Sequence, residues 1–205
     1  MVDMWRFDGR ILGVGTASGT RVVLGVWDRS PFGAFADAMV EDGAGHRRLV
    51  APAHVAEFVA STYGFDDVVE APVRVRHDVG APAPGGLVVA QAGPLGLRAV
   101  VGHRTSLGRM LRLLPRRLAT APSFAGLTDP VARLLLDGVR TRGTAGNGRR
   151  ETYGATDVHG VVAVHATWEG ADLGELADVD PPVRFGFGST PRRPSLTRVV
   201  TMVRG

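Results

Sequence analysis

The chain has 205 residues, 44% hydrophobic and 21% charged, which is enough to bury a sizeable core and too apolar for a disordered polymer. It contains no cysteine and no lysine, excluding disulfides, thiolate nucleophiles, cysteine-ligated zinc, lysine Schiff bases and a P-loop lysine. The 24 basic residues are all arginine against 20 acids, and the positive charge is concentrated centrally, since residues 79–128 hold 6 Arg and no acid.

The start of the chain, with Asp3 and Asp8 and no apolar run behind a basic segment, reads as neither a signal nor a transit peptide, so a cytoplasmic protein is expected. Arg10 to Val14 and Arg21 to Trp27 predict two strands with a tight connection. Gly13-Val14-Gly15 followed by Gly19 lacks the helix that a dinucleotide fingerprint needs, and reads as part of that hairpin. Ala34 to Glu41 and His46 to Val50 predict a second strand pair across the turn-forming run Asp42-Gly43-Ala44-Gly45.

Pro52 to Tyr63 then changes period. Val55, Phe58, Val59 and Thr62 share one face of a predicted helix closed by Gly64. Strands are predicted at Val73 to Arg76, Leu87 to Ala92 and Leu97 to Val101. The uncharged stretch from Val79 to Leu97 carries three prolines and five glycines, which argues against a membrane-spanning helix.

Ser106 is placed as the cap of a basic amphipathic helix, with Leu107, Met110, Leu111 and Leu114 as its apolar stripe and Pro115 as its stop. Asp129 to Gly138 predicts a third short helix. Asn147-Gly148 and His159-Gly160 read as hairpin turns. Along Val161 to Trp168, Val162, Val164, Ala166 and Trp168 are expected on one face, with Val161, Ala163, His165 and Thr167 on the other. Thr197 to Val203 is the closing strand.

Nucleophile-elbow and zincin motifs are absent. Two constellations remain. Glu151, Tyr153, Asp157, His159 and His165 fall in the C-terminal meander, where the expected hairpin register brings His165 near Tyr153 or its neighbour across the ladder, so His165, Tyr153 and Glu151 are the candidate acid/base residues. The alternative is that His159 serves the turn and His165 sits half exposed on a strand. The segment PPVRFGFGSTPRRPS supplies Arg184, Ser189, Thr190, Arg192 and Arg193 as candidate ligands for an anion, with a solvated Gly/Pro loop as the alternative.

Tyr63-Gly64-Phe65, within EFVASTYGFDDVVEAPVRV, and the order of elements in the first half resemble the acetoacetate decarboxylase-like group. The resemblance implies a barrel-like β scaffold around a small cavity. Asp66 and Asp67 stand where that group continues with Pro and Lys, so its Schiff-base mechanism is not carried over.

The sequence thus predicts one domain over residues 1–205, of α+β class, β-rich, with a curved or barrel-like antiparallel sheet and about three short helices. The expected function is binding of a small anionic organic ligand bearing carboxylate or phosphate, with acid/base activity and simple binding both left open. No cofactor, metal or membrane partner is called for, and homo-oligomerisation is left open. The alternative is protein interaction, or nucleic-acid or anionic-surface binding, through the arginine-rich segment 98–117. Nucleic acid is disfavoured there, because no aromatic residue lies between Arg98 and Arg117 for bases to stack on.

Overall fold

The computed structural model describes residues 4–80, 82–113, 142–144, 150–185 and 190–205. Its strands are β1 (Met4–Thr16), β2 (Arg21–Arg29), β3 (Phe35–Glu41), β4 (Arg47–Ala51), β5 (Asp67–Glu70), β6 (Val73–Asp78), β7 (Gly86–Ala92), β8 (Leu95–Arg104), β9 (Arg142–Thr144), β10 (Arg150–Trp168), β11 (Ala171–Asp172), β12 (Leu176–Ala177) and β13 (Ser195–Arg204). The two described helices are α1 (Ala53–Thr62) and α2 (Ser106–Leu113), and the third predicted helix lies outside the described residues.

The strands form one sheet in the order β5-β4-β3-β2-β1-β13-β10-β8-β7-β6, with β9 and β11 on β10 and β12 on β1. All pairings are antiparallel except β4 with β5, which is parallel because α1 carries the chain over between them. The sheet is strongly curled. Val73 and Val75 of β6, at one end of the order, pack into the same cluster as Val40 and Val50 near the other.

Period-2 alternation splits each strand between two faces, and along much of β1, β2 and β3 both are buried, whereas β6 buries only one. Leu12, Val14, Val22, Leu24, Ala38 and Val40 join Val88, Ala90, Leu95 and Leu97 to fill the inside of the curl. The barrel-like interior is therefore occupied by side chains. The outer face carries Phe7, Ile11, Val23, Phe35, Met39, Leu49 and Val199, and is covered by Val55, Ala56 and Val59 of α1 and by Val179, Val183 and Phe185 of the segment before β13.

Three local expectations are corrected. His159-Gly160 is not a turn: the chain runs straight through it as the 19-residue β10, which pairs first with β13 and then with β8. Register slips near Val161 turn that residue inward and leave Val162 61% exposed, reversing the expected faces there before Ala166 is again buried. Finally, Thr105 rather than Ser106 caps α2, its Oγ1 accepting the Gly108 N–H at 3.0 Å. Asn147-Gly148 lies outside the described residues.

Leu24, fully buried in the inner cluster, gives a direct check on this packing. Leu24→Ala is expected to lose about 2–5 kcal/mol in urea unfolding while keeping the β-sheet circular dichroism.

Candidate functional site

Asp37 stands on the outer face of β3 between Phe35 and Met39, four residues before Glu41 on the same face. Its register partner on β2 is Gly25, and the Trp27 indole lies across that glycine to donate from Nε1 to Asp37 Oδ1 at 2.9 Å. A Cβ on Gly25 would stand 2.6 Å from Oδ1 and 2.8 Å from the indole nitrogen, so the hydrogen bond needs glycine there. The other carboxyl oxygen, Oδ2, is buried with no hydrogen-bond partner. Burial pushes the Asp37 carboxyl from its ordinary 3.8 up to about 7, with the Trp27 hydrogen bond pulling the other way.

Tyr63, just past α1, completes this side. The Gly64 N–H bonds to the Phe185 carbonyl at 2.7 Å and Phe65 stacks on Phe185, which fixes the helix exit against the covering segment. Tyr63 then donates its hydroxyl to Glu151 Oε1 at 2.8 Å and lies 3.2 Å from the Tyr153 hydroxyl. Glu151 and Tyr153 sit two apart on β10 and so face the same way. Burial, reinforced by the Glu151 charge, holds both tyrosine hydroxyls well above their usual range, so they stay protonated at neutral pH.

Two small hollows open among these groups. One, of about 20 Å³, is lined by residues including Ile11, Gly25, Trp27, Asp37, Tyr63 and Tyr153. The second, of about 30 Å³, is lined by residues including Phe7, Phe35, Asp37, Phe58, Glu151 and Thr201. Trp27, Asp37, Met39 and Tyr63 border both. Each holds roughly one or two water molecules as it stands. Thr201 Oγ1, like Asp37 Oδ2, is buried without a hydrogen-bond partner.

Of the candidate acid/base residues, Glu151 and Tyr153 meet at this site and His165 does not. Tyr153 and His165 lie twelve positions apart on one strand, so no hairpin brings them together, and His165 is exposed opposite Arg98. His159 instead sits 3.8 Å from Asp157, whose carboxylate is held by Arg104 at 2.7 and 3.0 Å. Among the described residues, no three histidine, aspartate or glutamate side chains converge as metal ligands would.

The arginines expected to hold an anion are largely engaged. Arg184 binds Glu41 through its backbone N–H at 2.7 Å and its Nε at 2.9 Å, tying the covering segment to β3. Arg21 meets the same carboxylate at 3.0 Å. Arg192 pairs with Asp178 and Asp180. Thr190 is buried against Gly13, Arg193 is exposed, and Ser189 lies outside the described residues.

Sequence reasoning missed Asp37 and Tyr63 as site residues. The available signal for Asp37 was an acid set between two large apolar residues, Phe35 and Met39, at alternate positions of a predicted strand; for Tyr63, 88 residues from its partner Glu151, there was none.

Two outcomes follow from these burials. Between pH 4 and 7 native Asp37 keeps a proton that the unfolded chain has released, so its contribution is fully present below the unfolded value and is lost as pH rises towards 7, by up to roughly 4 kcal/mol. Urea unfolding at pH 5 and pH 8 should therefore show Asp37→Asn less sensitive to pH than the wild type and more stable than it at pH 8. Glu41 and the Arg21 side chain are only 1% and 4% exposed. Glu41→Gln leaves Arg21 without its countercharge and is expected to lose about 3–5 kcal/mol at pH 7 in the same assay.

The sequence matches no protein-family model, and no curated protein is similar enough to count as a relative. Among solved structures, one from Nitrosomonas europaea, provisionally assigned as AttH, aligns with 99% of this chain at 10% identity and a TM-score of 0.30. The chain spans about half the length of that structure.

Proposed function

We propose that this protein binds a small organic molecule in the hollows between the outer face of the sheet and α1, with Asp37 facing the ligand's polar group. The observation that carries the reading is Asp37 Oδ2, a buried oxygen without a hydrogen-bond partner on a carboxyl that titrates near neutrality, bordered by Trp27, Phe7, Phe35 and Phe58. A buried acceptor left without a donor is costly, and a ligand that pairs with it recovers that loss. The same carboxyl serves a binding protein as an anchor and an enzyme as a general acid or base.

The anionic ligand expected from the sequence enters this reading in one form, with protonated Asp37 donating to a ligand carboxylate. Under the proposed kinship with acetoacetate decarboxylase-like proteins, the Tyr63-Gly64-Phe65 stretch contributes Tyr63 to the wall of such a cavity.

Indole N–H resonances of the three tryptophans report occupancy directly, because Trp27 donates to Asp37. Screening small amines, alcohols and carboxylates, a ligand of this site is expected to move the Trp27 resonance saturably and leave Trp5 and Trp168 in place. A ligand that stabilises the protein without moving Trp27, and whose effect disappears in Arg192→Ala/Arg193→Ala, would transfer the site to the arginine loop.

A further inference from the structure

Resting on that binding reading, we infer that the ligand is a small organic cation, a short-chain primary ammonium whose charge is held at Asp37 and whose apolar part lies on the aromatic wall. The described residues lining the two hollows include the Asp37 carboxyl and include no arginine or histidine. The chain supplies arginine to its other carboxylates readily, as at Glu41, Asp42, Asp66 and Asp157. At Asp37 the bonded partner is an indole N–H, and the second oxygen has none.

An ammonium head supplies three N–H donors. The orphaned acceptors bordering the second hollow are Asp37 Oδ2 and Thr201 Oγ1, the latter on a side chain in a residue only 2% exposed. The aromatic rings around them form a continuous wall. Phe7 lies 5.6 Å from Trp27, 6.3 Å from Phe35 and 5.7 Å from Phe58, centre to centre. Ring faces attract a desolvated cation and its adjoining methylene groups, whereas they give nothing to an anion. The small volumes restrict the occupant to a few heavy atoms.

The test compares three probes of similar size and different charge, ethylammonium, ethanol and acetate, at matched ionic strength on the full chain. Ethylammonium is expected to shift the Trp27 indole resonance saturably and, at five times its half-saturation concentration, to raise the melting temperature by about 2–4 °C. Ethanol and acetate should do neither at that concentration. Asp37→Asn should weaken the ethylammonium response at least tenfold; should that variant fail to fold, the contrast among probes on the wild type decides alone. If ethanol or acetate moves Trp27 at the same or lower concentration, the cation assignment falls and the hollow remains a binding site. If no probe of any charge moves it, both the assignment and the binding reading fall.

Discussion

Strands that are buried on both faces, as β1, β2 and β3 are along much of their length, have to be covered on both, and that constraint organises this protein. The inner face satisfies it by curling until Val73 and Val75 of one end meet Val40 and Val50 of the other. The outer face cannot close on itself. It is covered instead by α1 and by the segment carrying Val179, Val183 and Phe185, two pieces of chain brought together at the Gly64 to Phe185 hydrogen bond. A cover assembled from a helix and an extended segment meets a twisted sheet less evenly than one sheet meets itself. The residual hollows lie beneath this cover, bordered by the polar groups of Asp37, Tyr63 and Glu151.

Electrostatics on this outer face divides into two regimes along a single strand. At the end of β3, Glu41 is charge-compensated by Arg21 and fastened to Arg184, so its carboxylate acts as a clamp on the covering segment. Four residues earlier on the same face, Asp37 has an indole donor and no countercharge in contact, and burial moves its proton affinity to the neutral range. Two acids on one strand thus differ, one a charge-compensated clamp and the other a buried carboxyl that titrates near neutrality, because of what stands opposite them: arginine in one case and glycine with tryptophan in the other.

Much of the framework was legible because its residues alternate. Val73-Arg74-Val75-Arg76 put valines inward and arginines outward as period 2 requires, and Pro52 to Tyr63 showed a helical period with Val55 and Val59 buried. The C-terminal meander misled because a glycine after a histidine resembles a turn, while a 19-residue strand can absorb the same irregularity by slipping register. Glu151 and Tyr153, which border the candidate site, were picked out in the sequence, but for a hairpin partner that does not exist. The rest of the site comes from β3 and from the exit of α1, joined to β10 by contacts spanning 88 residues of sequence, and such pairings leave no local pattern. The arginine-rich loop drew attention by composition, yet guanidinium groups such as those of Arg184 and Arg192 are matched by carboxylates that only the fold brings near.

The account depends most directly on the protonation of Asp37 in the folded protein. Carbon-13 NMR titration of the side-chain carboxyl, assigned through Asp37→Asn, measures it without any ligand. The expected midpoint lies near pH 7, accompanied by a matching displacement of the Trp27 indole N–H resonance as its acceptor gains charge. A midpoint near 4, with the Trp27 resonance unmoved through the neutral range, would show a solvated carboxylate and contradict the site described for this face.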